Sequence, residues 1–287
     1  MASLQDILEA PIPRPLLWIG TPILAFALIL SFVFLGFPYS DFIPVASQTL
    51  ERSSGGEIHI GEIRPHITLG GPGFSVHDVS VSTEGQAAVQ LDSLAIRPAW
   101  STSWLRREPS FVIDLVSPVF MADGTLTLGE ASRFEGKASI LDLAQIPLPA
   151  GSPVTLTGAI AAEGHLSLRG SEPEGMIIFE AGAGSATHRS VPMPLDYERI
   201  SGRIEIGGEA WLALHKIQFE GPLFSATADG YVDRPQGNVP APIDIGVKLE
   251  VTNLPFRMLL TGLGLRLDGA GRTAFNLGGT LQDPAVR

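Results

Sequence analysis

The stretch SSGGEIHIGEIRPHITLGG, residues 53–71, admits two incompatible readings. His59, Glu62 and His66 spell H-x2-E-x3-H, a run of nitrogen and oxygen donors that points to a metal site. The same segment alternates, with Ile58, Ile60 and then Ile63 spaced by polar neighbours, as a half-buried β-strand does. Successive side chains on a strand face opposite ways, so His59 and His66, seven residues apart, diverge on one uninterrupted strand. Pro65 lacks the N–H that a ladder needs and is expected to end the strand before His66. Parity therefore favours a strand launched by Gly55 and Gly56 and ended by Pro65, with no metal bound.

Upstream of this strand the chain is apolar. Residues 16–37, LLWIGTPILAFALILSFVFLGF, carry no charge. At 1.5 Å per residue such a helix reaches roughly 33 Å, enough to span a bilayer core. Pro22 in its second turn is tolerated there. The run is longer than the apolar part of a signal peptide, and PYSDFIP follows it rather than a small-residue cleavage site, so it reads as an uncleaved anchor. Arg14 is the only basic residue before it and Arg52 the first after it. That bias places residues 1–15 in the cytoplasm and the bulk of the chain in the periplasm of a Gram-negative cell. Residues 38–56 then read as a short helical linker. Ser40 or Asp41 can cap it, Phe42, Val45, Ala46 and Leu50 follow helical spacing, and Gly55 and Gly56 stop it.

Composition sets the class of the remainder, residues 57–287. The chain has 287 residues, 32 Gly and 23 Pro, and these punctuate short apolar segments as in a many-stranded protein. Acidic residues outnumber basic ones 30 to 19, and Lys occurs only at 137, 216 and 248. With no basic stripe to displace counterions, nucleic acid is not an expected partner. The absence of cysteine removes disulfides, thiolate nucleophiles and cysteine-bound metals.

The dominant period from residue 57 onward is two. Strands are expected at 57–63, 74–82, 89–97, 111–116, 124–128, 134–142, 154–161, 165–169, 176–181, 203–206, 211–220, 224–232, 243–251 and 272–277. TEGQ, ADG, PAGSP and DRPQGNVPAP supply turns between them. Alternation predicts antiparallel sheet with one apolar and one polar face. In 211–220 the apolar set changes parity, from Leu212 and Leu214 to Ile217 and Phe219, which a bulge or bend would produce. The expected fold is thus mainly β: a strongly twisted, curved antiparallel sheet with few short helices. Helical turns are expected at PFRMLLTGL from Pro255 and at residues 100–107. A weak repeat pairs LDLAQIP (141–147) and the hairpin-like segment after it with LEVTNLP (249–255) and its successor.

Chemistry is hard to find. The six histidines, His59, His66, His77, His165, His188 and His215, include no i, i+4 pair. AGAGSATH at 181–188 fails the G-x-S-x-G nucleophile elbow and reads as a small-residue loop or strand edge. Gly269, Gly271 and Ala274 spell G-x-G-x-x-A, but TAFNLGGTL continues as a strand where a dinucleotide site needs a helix. Asp78, Asp92, Asp114, Asp142 and Asp229 fall where strands and turns meet water. Trp100 and Trp104, ahead of Arg106 and Arg107, either cap the sheet core or form an interfacial membrane patch. No catalytic, cofactor-binding or metal-binding residue is assigned.

The order of segments resembles a known family. The anchor leads into FPYSDFIPVASQTLERSSGGEIHIGEIRP, then GFSVHDVSVSTEGQAAVQLDSLAIRPAWSTSWLRREPSFVIDLVSP, and the chain closes on FNLGGTLQDPAVR. This is similar to the AsmA-like β superfamily, and most closely to the type II secretion system protein N family, over nearly the whole chain. The resemblance implies a single-span inner-membrane protein with a periplasmic β groove or half-barrel. It implies a non-enzymatic role and contacts with other type II secretion subunits. The wider superfamily adds a second expectation, a lipid-binding module that carries phospholipid on a concave apolar face.

Overall fold

The segment after Gly56 is a β-strand, and it does not stop at Pro65. The computed structural model describes residues 14–54, 57–68, 71–82, 89–145, 154–170, 172–188, 193–208, 210–234, 241–262, 264–280 and 284–286. Strand β1, Glu57–Thr68, pairs antiparallel with β2, Gly71–Ser82, and sets Pro65 opposite Phe74 and His66 opposite Gly73. β1 is the first strand of its sheet. An edge strand has an outward row of backbone groups, so a proline is tolerated there without a lost ladder bond. The expected break at Pro65 is therefore corrected, and His66 lies within the strand.

The chain continues through β3 (Val89–Pro98), β4 (Ser110–Val116), β5 (Phe120–Thr127), β6 (Ala131–Ile140), β7 (Val154–Leu156), β8 (Ile160–Arg169) and β9 (Glu172–Ala181). Then come β10 (Gly184–His188), β11 (Leu195–Tyr197), β12 (Arg199–Ile206), β13 (Leu212–Glu220), β14 (Phe224–Val232), β15 (Ile243–Val251), β16 (Arg272–Gly279) and β17 (Pro284–Val286). Fourteen of these form one antiparallel meander, β1–β6, β8, β9 and β12–β17 in chain order. Strands β7, β10 and β11 form a separate three-stranded sheet. The large sheet is open: among the described residues β1 pairs only with β2, and β17 only with β16.

Three expected strands are redrawn. Residues 154–161 are not one strand, because Gly158 takes φ +109 and the chain passes from the small sheet to the large one there. Residues 165–169 are instead the second half of β8. Asp142 leaves its expected strand and accepts the Ala144 N–H at the 3-10 turn Leu143–Gln145. The turn segments 83–86, 149–153 and 235–240, like Gly55 and Gly56, lie outside the described residues.

Parity changes have a visible cause. In β13 the register against β14 shifts between Leu214 and Ile217, where Lys216 adopts φ +49 and donates its N–H to Asp229 Oδ1 at 2.7 Å. This is the bulge expected from the apolar pattern. A second change crosses three strands at one level. Gly61, Asp78 and Asp92 stand side by side without ladder pairing, Asp78 has φ +55, and the register is unchanged on either side. The apolar set switches there in all three strands, from Ile58 and Ile60 to Ile63, from Val79 to Val76, and from Leu91 to Leu94.

The helices are few. α1 spans Arg14–Gly36, a 3-10 turn covers Tyr39–Phe42, and α2 spans Ile43–Ser54. The single linker helix expected over 38–56 is thus a 3-10 turn followed by a helix. The Ile43 N–H at the junction is taken by the Ser40 carbonyl rather than by a side chain. Among the described residues no single helix is long and apolar enough to cross a membrane; Leu24–Gly36 and Tyr39–Val45 reach that length as a pair bent by 54°. α3, Leu254–Gly262, begins where Asn253 Oδ1 accepts the Phe256 N–H at 3.0 Å. Residues 100–107 form a 3-10 turn over Thr102–Arg106. The two copies of the weak repeat both become connections between adjacent antiparallel strands, β6 to β8 and β15 to β16, each beginning with a helical turn.

Candidate functional site

Cross-strand partners point to the same side of a sheet, so the register assigns every residue to a face. From Leu94 in β3 to Val286 in β17, one face carries no charged residue, and its only polar side chains are Ser132 and Thr273. Phe111, Leu126, Phe134, Leu166, Phe179 and Ile204 stand on it, with Leu214, Phe224, Val247 and Phe275 further along. The opposite face carries Asp123, Lys137, Glu163, Glu180, Arg199, Lys248 and Arg272. Alternation in the sequence thus becomes two chemically distinct surfaces.

The glycines show which way the sheet curls. Gly124, Gly136 and Gly164 are successive partners across β5, β6 and β8, all on the apolar face. A Cβ on Gly136 would lie 2.4 Å from the Asp123 carbonyl, and one on Gly164 would lie 2.2 Å from that of Met176. Gly230, on the same face, would meet the Asp244 carbonyl at 2.2 Å. Gly246 lies on the polar face, and its nearest neighbour is Asn276 Oδ1 at 3.5 Å. Neighbouring backbones therefore close in on the apolar side at these glycines, as they do where a sheet curls toward that face. Glycine kinks of this kind let a sheet coil.

Among the described residues this face has no second layer over most of its length. Only ten apolar side chains are buried among the described residues. A sheet normally packs its apolar face against another element. Here the inner residues are half-shielded by their own curvature, and Leu166 and Leu168 remain 37% and 45% exposed. The depressions that open on the polar face, such as the one of about 500 Å³ lined by Ser225, Thr227, Lys248, Glu250 and Arg272, are troughs between strands. A coiled sheet is saddle-shaped outside, which accounts for them.

One end of the groove is closed. Phe256 and Leu260 of α3 pack with Val251, and Phe256 stacks on Phe224 at 5.4 Å, which stacks on Phe219 at 4.6 Å. Tyr197 of the small sheet continues the row and donates its hydroxyl to the Thr157 carbonyl at 2.6 Å. Burial raises the Tyr197 phenol above its ordinary pKa. Arg257 ties α3 down, donating from Nε to the Val251 carbonyl and from Nη2 to the Ala270 carbonyl. Asp268 closes the loop into β16. Its Oδ1 accepts the Arg272 N–H at 2.7 Å and the Ala270 N–H at 2.9 Å, and these bonds hold its carboxyl below the ordinary value of 3.8. A depressed carboxyl contributes stability above its ordinary range and loses it as pH falls through the lower folded value. Amide exchange should therefore show Ala270 and Arg272 protected at neutral pH and released in acid. Asp268→Ala should remove both the protection and its pH dependence.

The residues that suggested chemistry are dispersed. Glu62 pairs with Arg64 at 2.6 Å, and the Arg64 hydrogen bond lowers its pKa. Among the described residues no group of three His, Asp or Glu is placed to hold a metal ion. Asp229 serves the β13 bulge and Asp142 a turn. Asp114 stands opposite Asp123 on the polar face, beside Lys137. Residues 184–188 are strand β10, and Gly271 precedes strand β16 rather than a helix. An apolar binding face was expected only from the family resemblance, and none of its residues was assigned, although its signal, an alternation without a single inward charge, is present in the sequence. No family model, curated protein or solved structure matches the chain.

Proposed function

We propose that this chain is a non-enzymatic, single-span inner-membrane protein whose β-sheet stands in the periplasm and serves a type II secretion assembly through contacts. The observation that carries a binding role is the apolar face, which no other described element covers beyond the end packed by α3. The resemblance of its segment order to the type II secretion protein N family supports the assembly, and α1, with Phe26, Phe32 and Val33 exposed, supports the anchor. Glu51 of α2 takes the Ile58 N–H at the start of β1, and the outer edge beyond it offers backbone groups for strand addition by a partner. Photo-crosslinkers at Arg64 on β1 and Ala285 on β17 should capture another secretion subunit in cells. Capture of none would sink this reading.

The charge-free inner face favours a second reading, a phospholipid carrier of the AsmA-like kind. Acyl chains gain about 0.8 kcal/mol per buried CH₂ in such a groove. Native mass spectrometry of the detergent-purified full chain should then find phospholipid retained. Ile204→Glu places a charge between Ile177 and Leu214 on the groove floor. It should cut retention roughly ten-fold or more, since an unpaired charge among apolar groups is strongly unfavourable. Glu205→Gln, one residue along on the outer face, should leave retention unchanged. Lipid-free protein from native membranes would exclude the carrier reading.

A further inference from the structure

The turn after β3 is built to hold apolar groups out in solvent. Trp100 and Leu105 are 71% and 87% exposed, and Trp104 is also exposed. The turn is nonetheless firmly made. Ser101 Oγ accepts the Ser103 N–H, Ser103 Oγ bonds Ser110 Oγ at 2.8 Å, and Trp104 Nε1 donates to the Ala99 carbonyl at 2.7 Å. Arg107 ends it at φ +62, its N–H bonded to the Trp104 carbonyl. Trp100 and Trp104 lean together with ring centres 6.1 Å apart, and Trp104 meets Phe111. The expectation that these tryptophans cap the sheet core does not account for Trp100 and Leu105, which point outward.

Their place in the fold says what they face. Trp100 lies over Gly71 at the start of β2, where a Cβ would come within 3.1 Å of its indole nitrogen. Ile67, half-exposed, pairs with Pro72 at the same sheet end. Three residues on, roughly 10 Å along the strand, Phe74 meets Phe34 of α1 and Tyr39 just beyond it, each with ring centres 5.1 Å apart. The exit of the apolar helix and the tryptophan turn therefore share one end of the sheet. Arg106 and Arg107 add adjacent positive charges in a chain of net charge −11. Aromatic rings with apolar bodies and polar tips, next to basic groups, suit the headgroup layer of a bilayer. Glu108 follows on the same turn and opposes the basic pair in part.

We infer that Ile67, Trp100, Trp104, Leu105, Arg106 and Arg107 form a second membrane contact, seating this sheet end on the surface of the bilayer that α1 enters. The contact fixes the tilt of the groove relative to the membrane, which a single helix and its 3-10 turn do not. The inference rests on the membrane placement of α1, so the test reports on the two separately.

The chain has no cysteine, so single labels are site-specific. The environment-sensitive dye NBD is attached to Leu105→Cys, to Phe26→Cys in α1 and to Tyr231→Cys on the polar sheet face, each in the full chain in nanodiscs containing anionic lipid. Spin-labelled lipid should quench the Phe26 and Leu105 dyes at least about two-fold more than the Tyr231 dye, as expected for core and interfacial depth. Arg106→Glu with Arg107→Glu should reduce quenching at Leu105 and leave Phe26 unchanged. Quenching at Phe26 but not at Leu105 would overturn the second contact and keep the anchor. Quenching at neither would overturn the anchor reading itself. A Leu105 dye shielded only when another protein is added would assign the turn to a protein partner and also overturn the membrane contact. Circular dichroism of each labelled chain confirms the sheet.

Discussion

Gly164→Val should cost at least about 3 kcal/mol of folding stability, the range of severe overpacking. The new Cβ would lie 2.2 Å from the Met176 carbonyl and 3.0 Å from the Ile177 Cα. Both obstacles are backbone of a paired strand, so no rotamer change relieves them. Strand β9 must move away from β8 to relieve them. Gly246→Val is the matched control: it lies on the polar face with its nearest neighbours at 3.5 and 3.7 Å. Its effect should stay within about 1 kcal/mol, helped by the preference of strands for β-branched residues. Denaturant midpoints of the two variants measure the difference directly. Equal midpoints would mean that the two faces are equally open and that the sheet is not curled toward its apolar side.

The second large effect is expected at the closed end of the groove. Phe256→Ala should cost about 3–5 kcal/mol, the range for emptying a buried phenylalanine site. Phe256 is buried, stacks on Phe224 and packs with Val251 and Leu260. Much of this cost should be local. α3 meets the sheet chiefly at one end, so its release leaves most of the ladder intact. Hydrogen exchange should show residues 254–262 losing protection while β5, β6 and β8 keep theirs. Near-UV circular dichroism should lose the signal of the Phe219–Phe224–Phe256 row. A uniform loss of protection across the sheet would show instead that the plug nucleates the whole domain.

The two variants separate the causes of the groove. Glycine at three adjacent strands sets its curvature, and aromatic stacking closes its end. A curved apolar face without a covering layer is also a solubility hazard. The chain meets it by setting charges on the outer positions of nearly every central strand, such as Arg133, Glu135 and Lys137 on β6.

Much of this was legible in the chain. Alternation of period two placed most strands of the large sheet, because inner and outer residues differ so sharply in polarity. The parity change in 211–220 located the β13 bulge before any register was known. The histidine stretch was legible as a strand: His59 and Glu62 stand on β1, and Glu62 pairs with Arg64. Pro65 misled, because a proline's effect depends on whether its strand is central or at an edge, and that is settled by residues far along the chain. Gly158 misled likewise, since the sheet change it permits is dictated by Tyr197 and Ala183, which approach it only after folding.

The amino-acid sequence alone determined that the protein is mainly antiparallel β, that one face of its sheet is apolar, and that an apolar helix precedes it. These follow from local periodicity, which each segment carries by itself. Only the tertiary structure decided that fourteen strands join in one open sheet and that three others leave it. It also decided that backbones close in on the apolar side at Gly124, Gly136 and Gly164, and that Trp100 shares one sheet end with the exit of α1. Those facts depend on register and on the meeting of distant backbones, and no single segment contains them.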